Sequence, residues 1–382
     1  MTTNTDTEPT EGVSRRTVLK ASAVAGSSLG MLGSVTAGEG ESIEIDSSTT
    51  ITEPGVYTLS DDLFVTEFNG IKIHADDVVI DGRGNELKLD AATRDRFELM
   101  AVPSRGNRAY GTGVSTEESV QNITVKNLTV STWDTGVRLE NVTNGSVENV
   151  TASGNVDGIA IEDSINSTVT ESLATRNYEE GIVFRSTTES SVVESVAERN
   201  AHAGIALIDS DENTVHDVTV SRNRGDGLVL ECADQNELSA VTSSEDSTGV
   251  TFVFARENHL SDISVDQSRF SGVALGYASE NEIAELTVSN VVGDKLVEED
   301  PSAIWLYSAS ENHFNDVTSE NNGVWTIYAR HESVENQFDD LTIDGSDRFS
   351  ITVSNDAVDR HGNVSPVPAE DDDSTSISFS TH

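Results

Sequence analysis

The sequence predicts an all-β fold, a parallel β-helix solenoid of about 10–12 coils with 22–23 residues in each. Three observations carry this prediction. A glycine recurs as Gly113, Gly136, Gly158, Gly181, Gly204, Gly227, Gly249 and Gly272, and the column continues in degenerate form as Ala303, Thr326 and Ser350. At Gly204, Gly227, Gly249 and Gly272 apolar residues follow one and three places on, and an asparagine stands nine places on with its own apolar followers. Gly204, Ile205, Leu207, Asn213, Val215, Val218 and Val220 show the whole grid. Finally, no repeat holds a stretch with helical spacing, which argues against helix-bearing solenoids.

Each repeat reads as three short strands separated by turns. Ile205-Ala-Leu, Thr214-Val-His and Val218-Thr-Val alternate apolar with small or polar residues. Asn, Asp, Ser and Gly lie between them. A single coil cannot bury its apolar face, but stacked coils share one core. Equivalent residues then stack inside as Ile159, Ile182, Ile205, Leu228, Val250, Val273 and Ile304. Asn213, Asn236, Asn258, Asn281 and Asn312 are expected to form one ladder of turn amides, and Asn177, Asn200, Asn223 and Asn322 another.

Ile51-Thr-Glu-Pro-Gly-Val-Tyr57-Thr-Leu-Ser-Asp-Asp62 and Gly70-Ile-Lys-Ile-His-Ala-Asp-Asp-Val-Val-Ile-Asp-Gly-Arg-Gly84 resemble the entry segments of the right-handed parallel β-helix superfamily. The resemblance extends over residues 43–355, in particular to its carbohydrate-binding and sugar-hydrolase members and to NosD-like periplasmic accessory proteins. It implies right-handed winding and a long groove for a ligand. It does not select an activity, because one scaffold hosts lyases, hydrolases, epimerases and plain binding proteins. The polygalacturonase set N-T-D, D-D, G-H-G and R-I-K is not assembled here, since the only His-Gly is His361-Gly362 in the tail. The D-P-H-E of alginate epimerases is absent, and the Arg and Lys bases of pectate lyases cannot be placed, because the five lysines fall in no shared column of a groove.

Ser14-Arg15-Arg16-Thr17-Val18-Leu19-Lys20 resembles the twin-arginine export signal, and the weakly apolar Ala21–Ala37 ends in a cleavage-like Val35-Thr36-Ala37. Residues 1–37 are read as that signal, 38–62 as an N-terminal cap, 63–355 as the solenoid and 356–382 as a disordered acidic tail. A basic stretch at 90–112 and an insertion from Gly293 to Pro301 interrupt the repeat. This implies an extracellular or cell-surface protein. Ala21–Ala37 is too short and too rich in Gly and Ser for membrane insertion, and a monomer is expected.

Acidic residues number 67 against 23 Lys and Arg, for a net charge of −44. With strand patterning this strong, such acidity reads as a halophilic surface rather than as disorder. It argues against nucleic-acid partners. Cys232 is the only cysteine, so no disulfide framework exists, and its place beside Leu228 and Leu230 suggests a small buried residue. The eight histidines are dispersed, so no metal centre is expected. Asn122, Asn127, Asn141, Asn144, Asn149, Asn166 and Asn363 begin Asn-x-Ser/Thr triplets, open to glycosylation or to the repeat's own demand for Asn and Thr.

Two places on the coils can hold chemistry. The turn before the glycine column carries Asp157, Glu180, Asp226 and Asp246, with His202 close by. Carboxylates in adjacent coils come within about 5–10 Å of each other. That suits glycoside cleavage by an acid–base pair such as Asp157 with Glu180 or Asp226 with Asp246, or Ca²⁺ as the one cofactor to consider. The bland alternative is a solvated acidic turn. The strand position two places after the glycine reads Arg138, Ala160, Val183, Ala206, Val229, Thr251, Ala274, Trp305 and Tyr328. This predicts a shallow trough ending in Trp305, Tyr307, Trp325, Tyr328 and Tyr277, on which sugar rings can stack, with Arg138 at its far end. The alternatives are a trough covered by a loop or partner, and aromatics that merely pack. The reading is therefore an exported polysaccharide- or surface-glycan-binding protein with possible hydrolase or lyase activity. The alternative is a non-enzymatic NosD-like accessory or cell-surface structural protein.

Overall fold

The computed structural model describes residues 42–90, 93, 111–293, 301–322, 325–331, 333–344, 351–353 and 375–378. The chain winds as a right-handed parallel β-solenoid. One sheet takes a strand from each coil, 13 in all, from Thr49–Ile51 to Ile351–Val353. The other strand segments of every coil form a second sheet. In some coils these segments are separate, as Thr168–Thr170 and Leu173–Thr175. In others they fuse, as Thr214–Ser221, and one residue makes the corner: Asp217, at φ 53°. Corner residues such as Glu171, Glu194, Asp262 and Glu285 share this left-handed conformation. Polar residues occupy these positions because their side chains leave the coil for water at the point where the chain bends.

The interior stack is the one read from sequence. Ile159, Ile182, Ile205, Leu228, Val250, Val273 and Ile304 are register partners in consecutive coils, and all are fully buried. Near the last coils Phe314 and Phe338 stack at 4.6 Å with planes 8° apart. The glycine column is dictated by close approach. A Cβ on Gly204 would stand 2.7 Å from both the Gly227 carbonyl oxygen and Asn223 Nδ2.

Asn213, Asn236, Asn258, Asn281 and Asn312 form the first amide ladder, which runs on to Asn336. Each side-chain oxygen also accepts the backbone N–H of the preceding coil, as Asn236 does from Asn213 at 2.9 Å. The second ladder starts earlier than expected, at Asn155, and ends on Asp246 rather than running on to Asn322. Ser268 and Val291 occupy the intervening turns, and Asn322 binds the Val291 N–H at 2.7 Å. A third ladder lies outside: Asn144 donates to Asn122, and Asn166 to Asn144. These asparagines, with Asn127, Asn141 and Asn149, all have left-handed φ. Their clustering in the first coils therefore follows from turn geometry.

Some expectations differ from the structure. Cys232 is exposed, not buried. It follows Glu231 at φ 50°, so the chain has already turned and its side chain points away from the Leu228–Leu230 stack. Within residues 38–62, expected as a cap, the described strands already belong to the stack: Ile43–Ile45 pairs with Gly55–Leu59, and Thr49–Ile51 with Ile71–Ile73, all parallel. In the expected tail, Thr375–Ser378 form a strand lying antiparallel along Gln337–Asp344. That covers hydrogen-bonding groups the last coil would otherwise leave open. The export signal, most of the 90–112 stretch, residues 294–300 and Asn363 lie outside the described residues. No described helix is long and apolar enough to cross a membrane.

Candidate functional site

The glycine-bearing 13-stranded sheet turns two kinds of surface outward. In the earlier coils an ionic network spans its face. Arg185 holds Glu162 at 3.0 Å, Asp157 at 3.4 Å and Glu180 at 3.5 Å. Arg138 holds Glu162 at 2.6 Å and Glu140 at 3.0 Å. Adjacent coils carry these groups in register, since Glu140 pairs with Glu162 and Glu162 with Arg185.

Asp157 and Glu180 meet at the centre of this network. As bare carboxylates, Asp157 Oδ1 and Glu180 Oε2 are buried without a hydrogen-bond donor. A proton carried on Asp157 supplies the donor for both. Burial pushes the Asp157 carboxyl up to about 7, against the pull of Arg185 and with the repulsion of Glu180. Burial opposes ionisation of Glu180 too, but hydrogen bonds from His202 and Asp157 outweigh it and bring that carboxyl down to about 2. The two therefore behave as one dyad that shares a proton below neutrality. His202 Nδ1 lies 2.7 Å from Glu180 Oε1, and that bond raises the imidazole above its ordinary value.

Of the five acid–base candidates, the structure joins Asp157, Glu180 and His202. Asp226 stands beyond the small Ala203, held by the Thr248 N–H at 3.2 Å and the Thr251 hydroxyl at 2.8 Å; burial raises its carboxyl. Asp246 does not face this surface. It is fully buried inside the second ladder, accepting from Asn223 and Ser243, and burial pushes it up to about 6. Arg138 is engaged in its two ion pairs rather than presented alone. Single oxygens of Asp157, Glu179 and Glu180 lie within 4.8 Å of one another, enough for a divalent cation. Arg185 already brings positive charge there, so a cation would have to displace the shared proton and compete with the guanidinium.

The expected trough is only partly open. Ala160, Val183 and Ala206 are 0, 0 and 2% exposed and form a small apolar cluster with Ala203, Ile208 and Val229. Further along, Val229 and Thr251 are half-buried, and the face then becomes aromatic. Trp305 stacks on Tyr307 at 5.5 Å, and Trp325 on Tyr328 at 6.4 Å. Tyr307 meets Tyr277 edge-on at 5.3 Å, and Tyr277 stacks on Phe254 at 4.9 Å with planes 12° apart. Phe254 and Tyr277 are 53 and 46% exposed, whereas Tyr328 is buried. Both sit at left-handed φ, in the turn position that Asp163, Ser186 and Asp209 fill in earlier coils.

Sequence reading missed Glu162, Arg185, Phe254, Arg330 and His331. The same register identifies them: all lie four or five places after the glycine column, a position the search for a groove passed over.

No curated protein matches the chain. Among solved structures it is similar to the Dettilon tailspike protein, at 12% identity and a TM-score of 0.56 over 79% of this chain and 61% of that one. It is also similar to the catalytic domain of an α-1,3-glucanase solved with tetrasaccharides, at 12% identity and a TM-score of 0.54 over 75% of this chain and 60% of that one. A third is a periplasmic alginate epimerase, at 11% identity and a TM-score of 0.53 over 81% of this chain and 77% of that one. The chain thus spans less than two thirds of the first two. The model of the right handed beta helix region matches residues 54–216, 112–246 and 207–363. With the winding, the ladders and that match together, the chain belongs to the right-handed β-helix family.

Proposed function

We propose that this protein binds a polysaccharide on the outward face of the 13-stranded sheet, over the coils that carry Trp305, Tyr307 and Tyr277. The observation that carries the reading is the run of partly exposed rings in contact, from Phe254 stacked on Tyr277, through Tyr277 edge-on to Tyr307, to Tyr307 stacked on Trp305. Two of these, Phe254 and Tyr277, are exposed and occupy left-handed turn positions, a conformation that disfavours bulky side chains. Pyranose rings stack on such faces. The α-1,3-glucanase and the alginate epimerase, named as acting on glycans, support the reading. Residues 14–20, with their resemblance to an export signal, support placing the binding outside the cell.

A second reading adds chemistry, and one observation favours it. The two carboxyls of the Asp157–Glu180 dyad are driven apart, one protonated up to about 7 and one ionised above about 2, the division of labour an acid–base pair needs. The dyad is largely enclosed, at 15 and 9% side-chain exposure, while His202 beside it is 68% exposed. Binding is therefore the reading that the geometry supports best.

The test is affinity electrophoresis against a polysaccharide panel in molar salt. Trp305→Ala and Tyr277→Ala should each weaken retention while leaving the melting temperature near that of the wild type. Retention of no polysaccharide, or variants that behave like the wild type, would favour the accessory or structural alternative. Release of reducing ends that Asp157→Asn abolishes without loss of binding would establish the second reading.

A further inference from the structure

The basic residues on the outward face of the glycine-bearing sheet are mostly consumed by acids. Arg138 has two carboxylate partners, Arg185 has three, and Lys72 is tied to Glu117 at 3.0 Å. This is the expected state of a chain with 67 acidic residues and 23 Lys and Arg. Arg330 departs from it. It lies in the last described coils, in register with Tyr307 and two places after Tyr328. Its guanidinium stands 5.6 Å over the Tyr328 ring. Among the described residues no carboxylate pairs with it, and its Nε is buried without a hydrogen-bond partner. Its neighbours across the strands and along the turn are aromatic: Tyr307, with His331 packed on that ring at 4.5 Å.

Two costs meet at this residue. A guanidinium half-withdrawn from water loses hydration, and a buried donor left unmade costs more than a typical bond returns. In a protein this acidic, a carboxylate partner would be easy to supply from the chain. An arginine without one, set among rings that suit a sugar face, marks a place kept for an external anion. The planar fork of a guanidinium matches a carboxylate, giving two parallel charge-assisted bonds.

We propose that Arg330, with Trp305 and Tyr307, forms a subsite for a sugar unit bearing a carboxylate, that is, a uronic acid within the bound glycan. The proposal rests on the polysaccharide-binding reading above and adds the charge of the unit at this end of the face. The ring stacks on the Trp305–Tyr307 pair, and the carboxylate reaches Arg330. Elsewhere on the face carboxylates outnumber guanidinium groups, with Glu140, Glu162 and Glu180 against Arg138 and Arg185, and both arginines are already paired, so a carboxylate is favoured at Arg330 and disfavoured along the rest of the sheet.

The test uses matched probes on the full chain. Oligogalacturonate, oligomannuronate and a glucuronoxylan oligosaccharide are each compared with their carboxyl-reduced counterpart by calorimetry in molar NaCl, where the protein's overall charge is screened. The expected result is that at least one acidic oligomer binds about tenfold or more tightly than its reduced twin. Arg330→Gln should bring that pair to parity, and Arg330→Lys should keep part of the preference. Trp305→Ala should weaken both members. Melting temperatures near the wild-type value show that the variants are folded, and the lysine variant keeps the test decisive if glutamine unfolds the last coils. Reduced twins that bind as tightly as the acidic ones, or a preference that survives Arg330→Gln, would overturn the subsite and leave glycan binding standing. Binding of neither twin for any probe would defeat both readings.

Discussion

Asp157 and Glu180 show how much one coil spacing does to two ordinary carboxyls. Alone on an exposed turn each would ionise near pH 4. Brought together behind Arg185 and His202, one keeps its proton to about 7 and the other loses it at about 2. Between about pH 4 and 7 the folded chain therefore holds a proton on Asp157 that the unfolded chain has released. That contribution to stability is full below about pH 4 and is lost as pH rises through 7; Glu180 acts oppositely, adding stability as pH rises from about 2 to its ordinary value. Asp157→Asn keeps a donor for Glu180 Oε2 and removes the titration. Its melting temperature should gain on the wild type by a few degrees between pH 5 and pH 8, as scanning calorimetry at both values would show. An equal difference at the two pH values would mean that Asp157 carries no shared proton. Cys232 makes the same point in reverse, because one left-handed residue sends a side chain outward where its neighbours suggested burial.

A coil gains its stability from the coils above and below. Val218 is 1% exposed within Thr214–Ser221, with Val241 as its partner in the next coil, while Thr219 beside it faces outward and is exposed. Val218→Asp places an unpaired charge in that dry stack and should cost several kcal/mol. Thr219→Asp should stay within about 0.5 kcal/mol. Denaturant unfolding of the two variants measures the difference directly, and equal losses would mean that the inward and outward positions are misassigned. The ladders work on the same scale. After the first rung of each inner ladder, an asparagine oxygen accepts one backbone and one side-chain bond from the preceding coil, as Asn236 does from Asn213, so the turns carry hydrogen bonds that strands alone would not provide. Asp246 ends one ladder because a carboxylate can accept from Asn223 but cannot donate onward.

For the whole molecule the governing quantity is a charge of −44. Repulsion of that size opposes any compact state, and salt relieves it over distances of about 10 Å at 0.1 M and 3 Å at 1 M. The melting temperature should rise steeply from low to molar NaCl; one that stays level would show that the acidity is not matched to salt. The right hand of the winding was implied by the resemblance of the entry segments, whereas repeat length, the interior stack from Ile159 to Ile304 and the first ladder were legible in the residues themselves. They follow from residues that recur at a fixed period, and a period is a property of the chain itself. The candidate acid–base residues were legible as a column, but not their sorting. Asp157 and Glu180 become a dyad and Asp246 becomes a ladder end because each environment is built by groups from other coils, Arg185 and His202 in one case and Asn223 and Ser243 in the other. The closing of the trough at Ala160, Val183 and Ala206, and the aromatic setting of an Arg330 without a carboxylate, were likewise decided only by tertiary structure. Burial and electrostatic pairing depend on distances between residues far apart in the chain, and a repeat specifies which residues align but not what comes to rest against them.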